Sequence, residues 1–260
     1  MRSIHPAAWA GIFLQLAFAL VTFSALANAD LSMFEPQDRQ SMEEYIRVLL
    51  EVGRPLFLGF LAAQAGALLL MAYRVPFGLG IAMITGFLSL PISLIYLVGC
   101  LLTHYRIRYS DYPIAPKDYS GARFIFRSLA RKRMMVFMGA GFAFCMAFMV
   151  MGIVNMAATF LAVGLAGAYC AHRAASHHAL SIHKDYITVS PGLFADRLLL
   201  PYAIIRMATL NENNTITFEV DTLQGSKSLV WSLLIVEPAQ RRQAIEELGA
   251  ALDAHGVPLQ

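Results

Sequence analysis

Charge is what this chain has least of. Only 14% of its 260 residues are Asp, Glu, Lys or Arg, while 58% are hydrophobic, and a soluble domain carries about a quarter of its residues charged. That scarcity excludes an ordinary water-soluble globule and points to a membrane protein. Cysteine is scarce as well: Cys100, Cys145 and Cys170 all lie in apolar tracts without CxxC or CxxH spacing. This excludes a disulfide framework and a zinc site and leaves buried, inert thiols. No GxSxG, HExxH, Walker-type or dinucleotide fingerprint occurs, so no residue takes a catalytic role and neither cofactor nor metal is expected. Gly78-Leu79-Gly80 falls inside an apolar run, where a phosphate has no place. The long apolar runs also lack interior Asp, Glu, Lys or Arg, which argues against an ion-coupled transporter, a proton relay or a channel. Gln15, Gln64 and Asn155 are their main strongly polar residues, and interhelical hydrogen bonding or a turn accounts for them.

The most organised stretch runs from Arg123 to Ala171. A basic run (Arg123, Arg127, Arg131, Lys132, Arg133) discharges into a tract with no charged residue from Met134 to Ala171. As one helix that tract would measure about 57 Å, nearly twice a hydrocarbon core of about 30 Å, so a hairpin is expected. Gly152 and Asn155 mark its turn, giving spans near 134–153 and 156–172, with small-residue contact surface at Gly139, Gly141, Gly164 and Gly167. Upstream, 7–29 is a first span. Ala27-Asn28-Ala29 resembles a signal cleavage site, but the length of the run favours an uncleaved helix. Within 30–54, Ser41-Met42-Glu43-Glu44 reads as a capping box that starts a short amphipathic helix, stopped by Gly53 and Pro55; an interfacial helix and a solvated connector both fit it. A second span covers 56–73, with Gly59, Ala63 and Ala67 on one packing face. After the Arg74-Val75-Pro76 turn, 77–103 is expected as one long tilted span kinked at Pro91.

The loop from His104 to Arg133 holds eight basic residues and Tyr105, Tyr109, Tyr112 and Tyr119, residues that settle at headgroup depth. Arg123, Arg127 and Arg131 would share one helical face; an anionic-lipid contact and a purely topological role are both open there. With five spans, the Lys/Arg count puts the N-terminus outside and the C-terminus in the cytoplasm. The net charge of +3 hides this segregation and says little about partners; nucleic acid is not among those expected. His172, His177, His178 and His183 gather where the last span ends, without the Cys or HxxxH spacing that would make a metal site.

From Ser176 the period changes to two. Leu180 and Ile182 alternate with Ser181 and His183, a β-branched run covers 186–190, and Ile216, Phe218 and Val220 alternate with Thr217, Glu219 and Asp221. Glu237-Pro238 then opens a helix with Ile245, Leu248 and Leu252 on its apolar face, ended by Gly256 and Pro258. The strand pair 180–189, the Leu200-Pro201-Tyr202-Ala203-Ile204 step and the strand-helix unit from Trp231 to Leu252 resemble the bacterial pleckstrin-homology-like (PH-like) domains. That resemblance implies a curled antiparallel sheet capped by the helix, used to bind proteins or lipids. A basic headgroup pocket is not visible in the tail itself, where six basic residues face nine acidic ones.

The expected fold is therefore an α-helical membrane bundle of five spans over 1–175 followed by an α+β PH-like cytoplasmic domain over 176–260. The expected function is a scaffold, regulator or assembly factor in a bacterial inner membrane, with membrane lipids and another protein as partners. The alternative is a membrane-resident immunity protein that binds a toxin or partner through its bundle.

Overall fold

Among the residues of this computed structural model, 1–3, 33–34, 76, 91–92, 117–119, 153, 176–177 and 223–224 are not described. Arg2, the Pro76 turn, the Pro91 kink, Lys117, Tyr119 and His177 lie outside the described residues, as does the side chain of Asn155. The chain divides into two units, Met1–His104 and Tyr105–Gln260.

In the first unit, α1 (Pro6–Ala27) starts with proline at its first position, and the His5 ring accepts the Ala7 N–H at 3.2 Å, a cap that satisfies an orphan amide. The next helix differs from expectation at both ends. It begins at Pro36 rather than at Ser41, and it does not stop at Gly53: α2 (Pro36–Val48) runs through a π-turn at Leu49–Gly53 into α3 (Arg54–Ala72). Pro55 removes one donor, and the π-turn absorbs the defect, with the Arg54 N–H reaching back to the Leu49 carbonyl. The result is a continuous helical stretch of 37 residues, Pro36–Ala72.

The expected single span over 77–103 is two helices, α4 (Phe77–Leu88) and α5 (Leu94–Arg108). Their neighbours fix the path. Gly78 lies against Met71 and Gln64 against Thr85 and Ser89, so α4 runs antiparallel to α3. Thr103 accepts the His5 N–H at 3.0 Å, Gly99 abuts Ala8 and Gly11 abuts Tyr96, so α5 runs antiparallel to α1. Because α1 and α3 are themselves antiparallel, joined at Gln15–Gln64 and Phe23–Phe57, α5 returns along the direction from which α4 came. The two helices form a hairpin, and α4, at 12 residues, covers only about 18 Å, less than a hydrocarbon core of about 30 Å.

A polar knot sits at the hairpin's tip. Gln15 and Gln64, both fully buried, exchange amide hydrogen bonds at 2.9 and 3.2 Å, and Gln64 also donates to Ser89 Oγ at 2.9 Å. Tyr96 donates its hydroxyl proton to the Gln64 carbonyl at 3.1 Å. Interhelical hydrogen bonding is thus what the two glutamines do.

The second unit contains a strand absent from the sequence reading. β1 (Phe124–Arg127) lies in the basic loop, and after it come α6 (Ala130–Val150) and α7 (Val154–Ala175), then β2 (His178–Ile182), β3 (Tyr186–Val189) and β4 (Leu198–Pro201). These strands form one antiparallel sheet in the order β1-β2-β3-β4, with Phe124 opposite Ile182 and Phe126 opposite Leu180. The helical hairpin is therefore inserted between two paired strands. Arg123, Arg127 and Arg131 do not share one helical face, because Phe124–Arg127 is extended. The hairpin turns at Gly152 (φ 73°), while Asn155 already belongs to α7. At the crossing, a Cβ on Gly141 would come within 2.7 Å of the Gly164 Cα, so the approach requires glycine.

A second antiparallel sheet, β5 (Ile205–Asn211), β6 (Thr215–Thr222) and β7 (Gly225–Ser232), follows, and α8 (Arg241–Asp253) ends the fold. Ile216, Phe218 and Val220 are buried as their alternation predicts, sharing one core with Leu180, Leu200, Trp231 and, from α8, Leu248 and Leu252. The Trp231 indole N–H donates to the Ser190 carbonyl at 3.1 Å and ties the two sheets together. Among the described residues, three helical stretches are long and apolar enough to cross a membrane: Pro6–Ala27, Pro36–Ala72 and Ala130–Val150. Their large apolar side chains are exposed, as with Val136, Phe137 and Val150 on α6, which is how a helix facing lipid is built.

Candidate functional site

The end of β1, the first turn of α6, the last turn of α7 and the segment before α8 meet around a cavity of about 480 Å³. Arg127 comes from the strand, Arg131 and Lys132 from α6, and Glu237 from the approach to α8. Met135, Ala174 and Ala175 form its apolar side, and Ser128 and His178 complete the lining. The backbone holds these elements together: the Glu237 N–H donates to the Arg127 carbonyl at 3.1 Å, and the Gln240 side chain accepts the Arg127 N–H at 3.1 Å.

Three cations thus face one carboxylate. Lys132 donates to Glu237, which holds that carboxyl below the usual carboxylate range. Among the described residues Arg127 and Arg131 make no salt bridge. Burial, then the charges of Arg197 and Arg127, push the His178 imidazole down toward the neutral form. The first turn of α6 has no acidic residue, and Leu129 at its cap offers no side-chain acceptor, so cations crowd the positive end of a helix dipole, where each is disfavoured by about 0.3–1 kcal/mol.

Of the five basic residues singled out in the sequence, the structure brings Arg127, Arg131 and Lys132 together in this cavity. Arg123 stands before β1, exposed, with its N–H bonded to the Ile182 carbonyl at 2.8 Å, and Arg133, on the same α6 turn, is not part of the lining. Glu237 carried no signal, since its partner is remote in sequence. Of the packing residues, Gly164 sits at the α6–α7 crossing, Ala67 is buried and Ala63 half-buried, whereas Gly59 and Gly139 face open space. The tightest approaches to backbone in the first unit are instead at Gly11 and Gly99.

The histidines separate. His172 is exposed, His178 half-buried and His183 buried, and no group of three potential ligands occurs among the described residues. Ser181 Oγ lies 3.0 Å from His183 Nε2, the spacing of a nucleophile and its base. Ser181 is fully buried within the sheet, however, and shares its hydroxyl with Thr188 at 2.6 Å, while the His183 ring stacks on Tyr186 at 4.3 Å. No substrate reaches it, and the pair satisfies buried polar groups.

The sheet edges form a second feature. Residues 113–115 run along β4 (Leu199 N–H to Pro113 carbonyl, 2.8 Å), residues 235–237 meet the end of β1, and residues 258–260 line β5 (Leu210 N–H to Gln260 carbonyl, 2.7 Å). β7 pairs with β6 alone, and along Ser228–Trp231 no further segment joins it among the described residues. No protein-family model, curated protein or solved structure matches the chain.

Proposed function

We propose that this protein is a membrane-embedded interaction module of the bacterial inner membrane, a scaffold or assembly factor whose PH-like cytoplasmic domain captures an extended segment of a partner protein. The open β7 edge carries this reading. Exposed edges recruit other chains, and folds blunt them unless pairing is their use. Here the β4 and β5 edges are closed by the chain's own segments and the short β1 is met at its end, whereas β7 is left with Val230 outward and half exposed. The PH-like assignment is supported by two antiparallel sheets on one core with a closing C-terminal helix. Insertion of α6–α7 between β1 and β2 supports a domain held firmly at the membrane surface, as a scaffold requires.

A re-entrant reading of the α4–α5 hairpin supports a topology other than the one expected from counting five spans. With α1, α3, α6 and α7 crossing and α4–α5 dipping in and returning, the N-terminus and the sheet domain share the cytoplasmic side. Arg74, Arg106, Arg108 and the basic run then lie inside together, and the segment 28–54, with six carboxylates and Arg39, Arg47 and Arg54, lies outside, so the richest cluster of basic residues stays on the cytoplasmic side.

Truncation at residue 176 is a poor test, because it strips β1 of its partner strand. A photo-crosslinking residue in place of Val230, compared with one in place of the lipid-facing Phe137 on α6, separates domain capture from bundle capture. Partner adducts from position 230 that vanish when unlabelled wild-type protein competes, and persist when the competitor carries Val230→Lys, are expected; adducts from position 137 alone would transfer the activity to the bundle and overturn the proposal.

A further inference from the structure

The cavity at the base of α6 and α7 has the chemistry of a phosphate site at the depth of a lipid headgroup. Its cationic wall is assembled from a strand end and a helix start that the fold deliberately brings together, and one carboxylate leaves that wall positive. Like charges crowded at the positive end of a helix oppose folding unless an anion joins them. Another part of the lining, Met135, Ala174 and Ala175, is apolar, and from Met135 onward the exposed surface of α6 includes Val136 and Phe137. The change from cationic to apolar therefore happens inside the cavity, as it does between the phosphate and the acyl chains of a lipid. A volume of about 480 Å³ falls in the range that accepts a small ligand, roughly 300–1,000 Å³.

We infer that this cavity binds the phosphate of an anionic phospholipid, with Arg127 and Arg131 as its ligands and Glu237 restraining Lys132 as a competing internal anion. Guanidinium forks suit a phosphodiester, offering paired N–H donors to its two free oxygens. Arg133, on the same helical turn but outside the cavity, takes no part, which distinguishes a built site from a general attraction of basic residues to an anionic surface. A free phosphate offers the same oxygens, but it has no use for the apolar wall.

The test is native mass spectrometry of the detergent-purified, delipidated full chain titrated with phosphatidylglycerol, phosphatidylcholine or inorganic phosphate. Phosphatidylglycerol should bind in preference. At about fivefold per basic residue, Arg127→Gln with Arg131→Gln should weaken it about thirtyfold, while Arg133→Gln changes it less than about twofold. Glu237→Gln should tighten it about fivefold by releasing Lys132, a gain that misfolding does not produce. Equal binding of the two lipids, an Arg133→Gln loss matching that of Arg131→Gln, or no gain from Glu237→Gln would overturn the site. Displacement of phosphatidylglycerol by equimolar inorganic phosphate would overturn its assignment to lipid.

Discussion

Replacing the two buried glutamines singly and together should reveal a coupled pair. Gln64→Leu removes the acceptor for the Gln15 amide at 2.9 Å and the donor to Gln15 Oε1 at 3.2 Å, while Gln15 keeps only its bond to the Gly11 carbonyl at 3.2 Å. Gln15→Leu leaves Gln64 bound to Ser89 at 2.9 Å with its own carbonyl oxygen stripped of the amide. Each single change thus orphans a buried group, at about 1–3 kcal/mol in general, with measured interhelical bonds in membranes averaging about 0.6 and reaching about 1.7 kcal/mol. We expect about 1–2 kcal/mol of destabilisation per single variant. The double variant removes both polar partners and should cost less than the sum of the singles by about 1 kcal/mol, because two leucines in contact need no partner. The assay is reversible unfolding in mixed micelles by denaturing-detergent titration, completed as a double-mutant cycle. Additivity within about 0.3 kcal/mol would refute the pair as a lock, whatever the single variants do.

Three other outcomes follow from the structure. Gly11→Leu would drive a side chain into the Tyr96 backbone, and overpacking there should cost about 1–3 kcal/mol or more, whereas Gly59→Leu, with nothing within 4 Å of its Cβ position, should leave the melting temperature in detergent unchanged. His183 is buried, and burial first, then Arg197, lower its pKa from the ordinary 6.5; the folded state prefers the neutral ring, so stability is complete above pH 6.5 and declines as pH falls through the lowered value. His183→Gln should flatten that decline in chemical unfolding measured between pH 7.5 and 5. On a cysteine-free background, Asn28→Cys should react with an impermeant maleimide in intact spheroplasts while Arg74→Cys does not; the reverse pattern would restore an external N-terminus.

Much of the second sheet was legible because half-buried strands write their register in period two: Ile216, Phe218 and Val220 point inward and Glu219 outward. β1 was not legible, for a physical reason. Phe124–Arg127 is four residues long, and its partner strand lies beyond an entire membrane hairpin, so the pairing is nonlocal and the local pattern reads as the start of a basic helix. The break at Gly53 and Pro55 misled in the opposite direction, since those residues do stop helices unless a π-turn rehouses the lost hydrogen bond. The cavity was half visible: Arg127, Arg131 and Lys132 stood out, but Arg127 and Arg131 on a supposed helical face shared with Arg123, and Glu237 reached them only through the tertiary fold.

The third apolar run shows why hydropathy alone misjudged the path. Hydropathy records how long a segment can stay in lipid, not whether it crosses, and 77–103 is apolar throughout whether it goes straight or doubles back. What decides is the backbone at the tip. A helix broken at Ser89–Leu90 exposes carbonyls and amides in a medium without water, tolerable only where protein satisfies them. Here Ser89 and Ser93 turn their hydroxyls onto the Thr85 and Gly86 carbonyls, and Gln64 reaches the same tip from α3 with Gln15 behind it from α1. The glutamines therefore join the serines in satisfying the tip of the turn. An amide pair buried between two helices thereby holds the tip of the α4–α5 hairpin against α3 and α1.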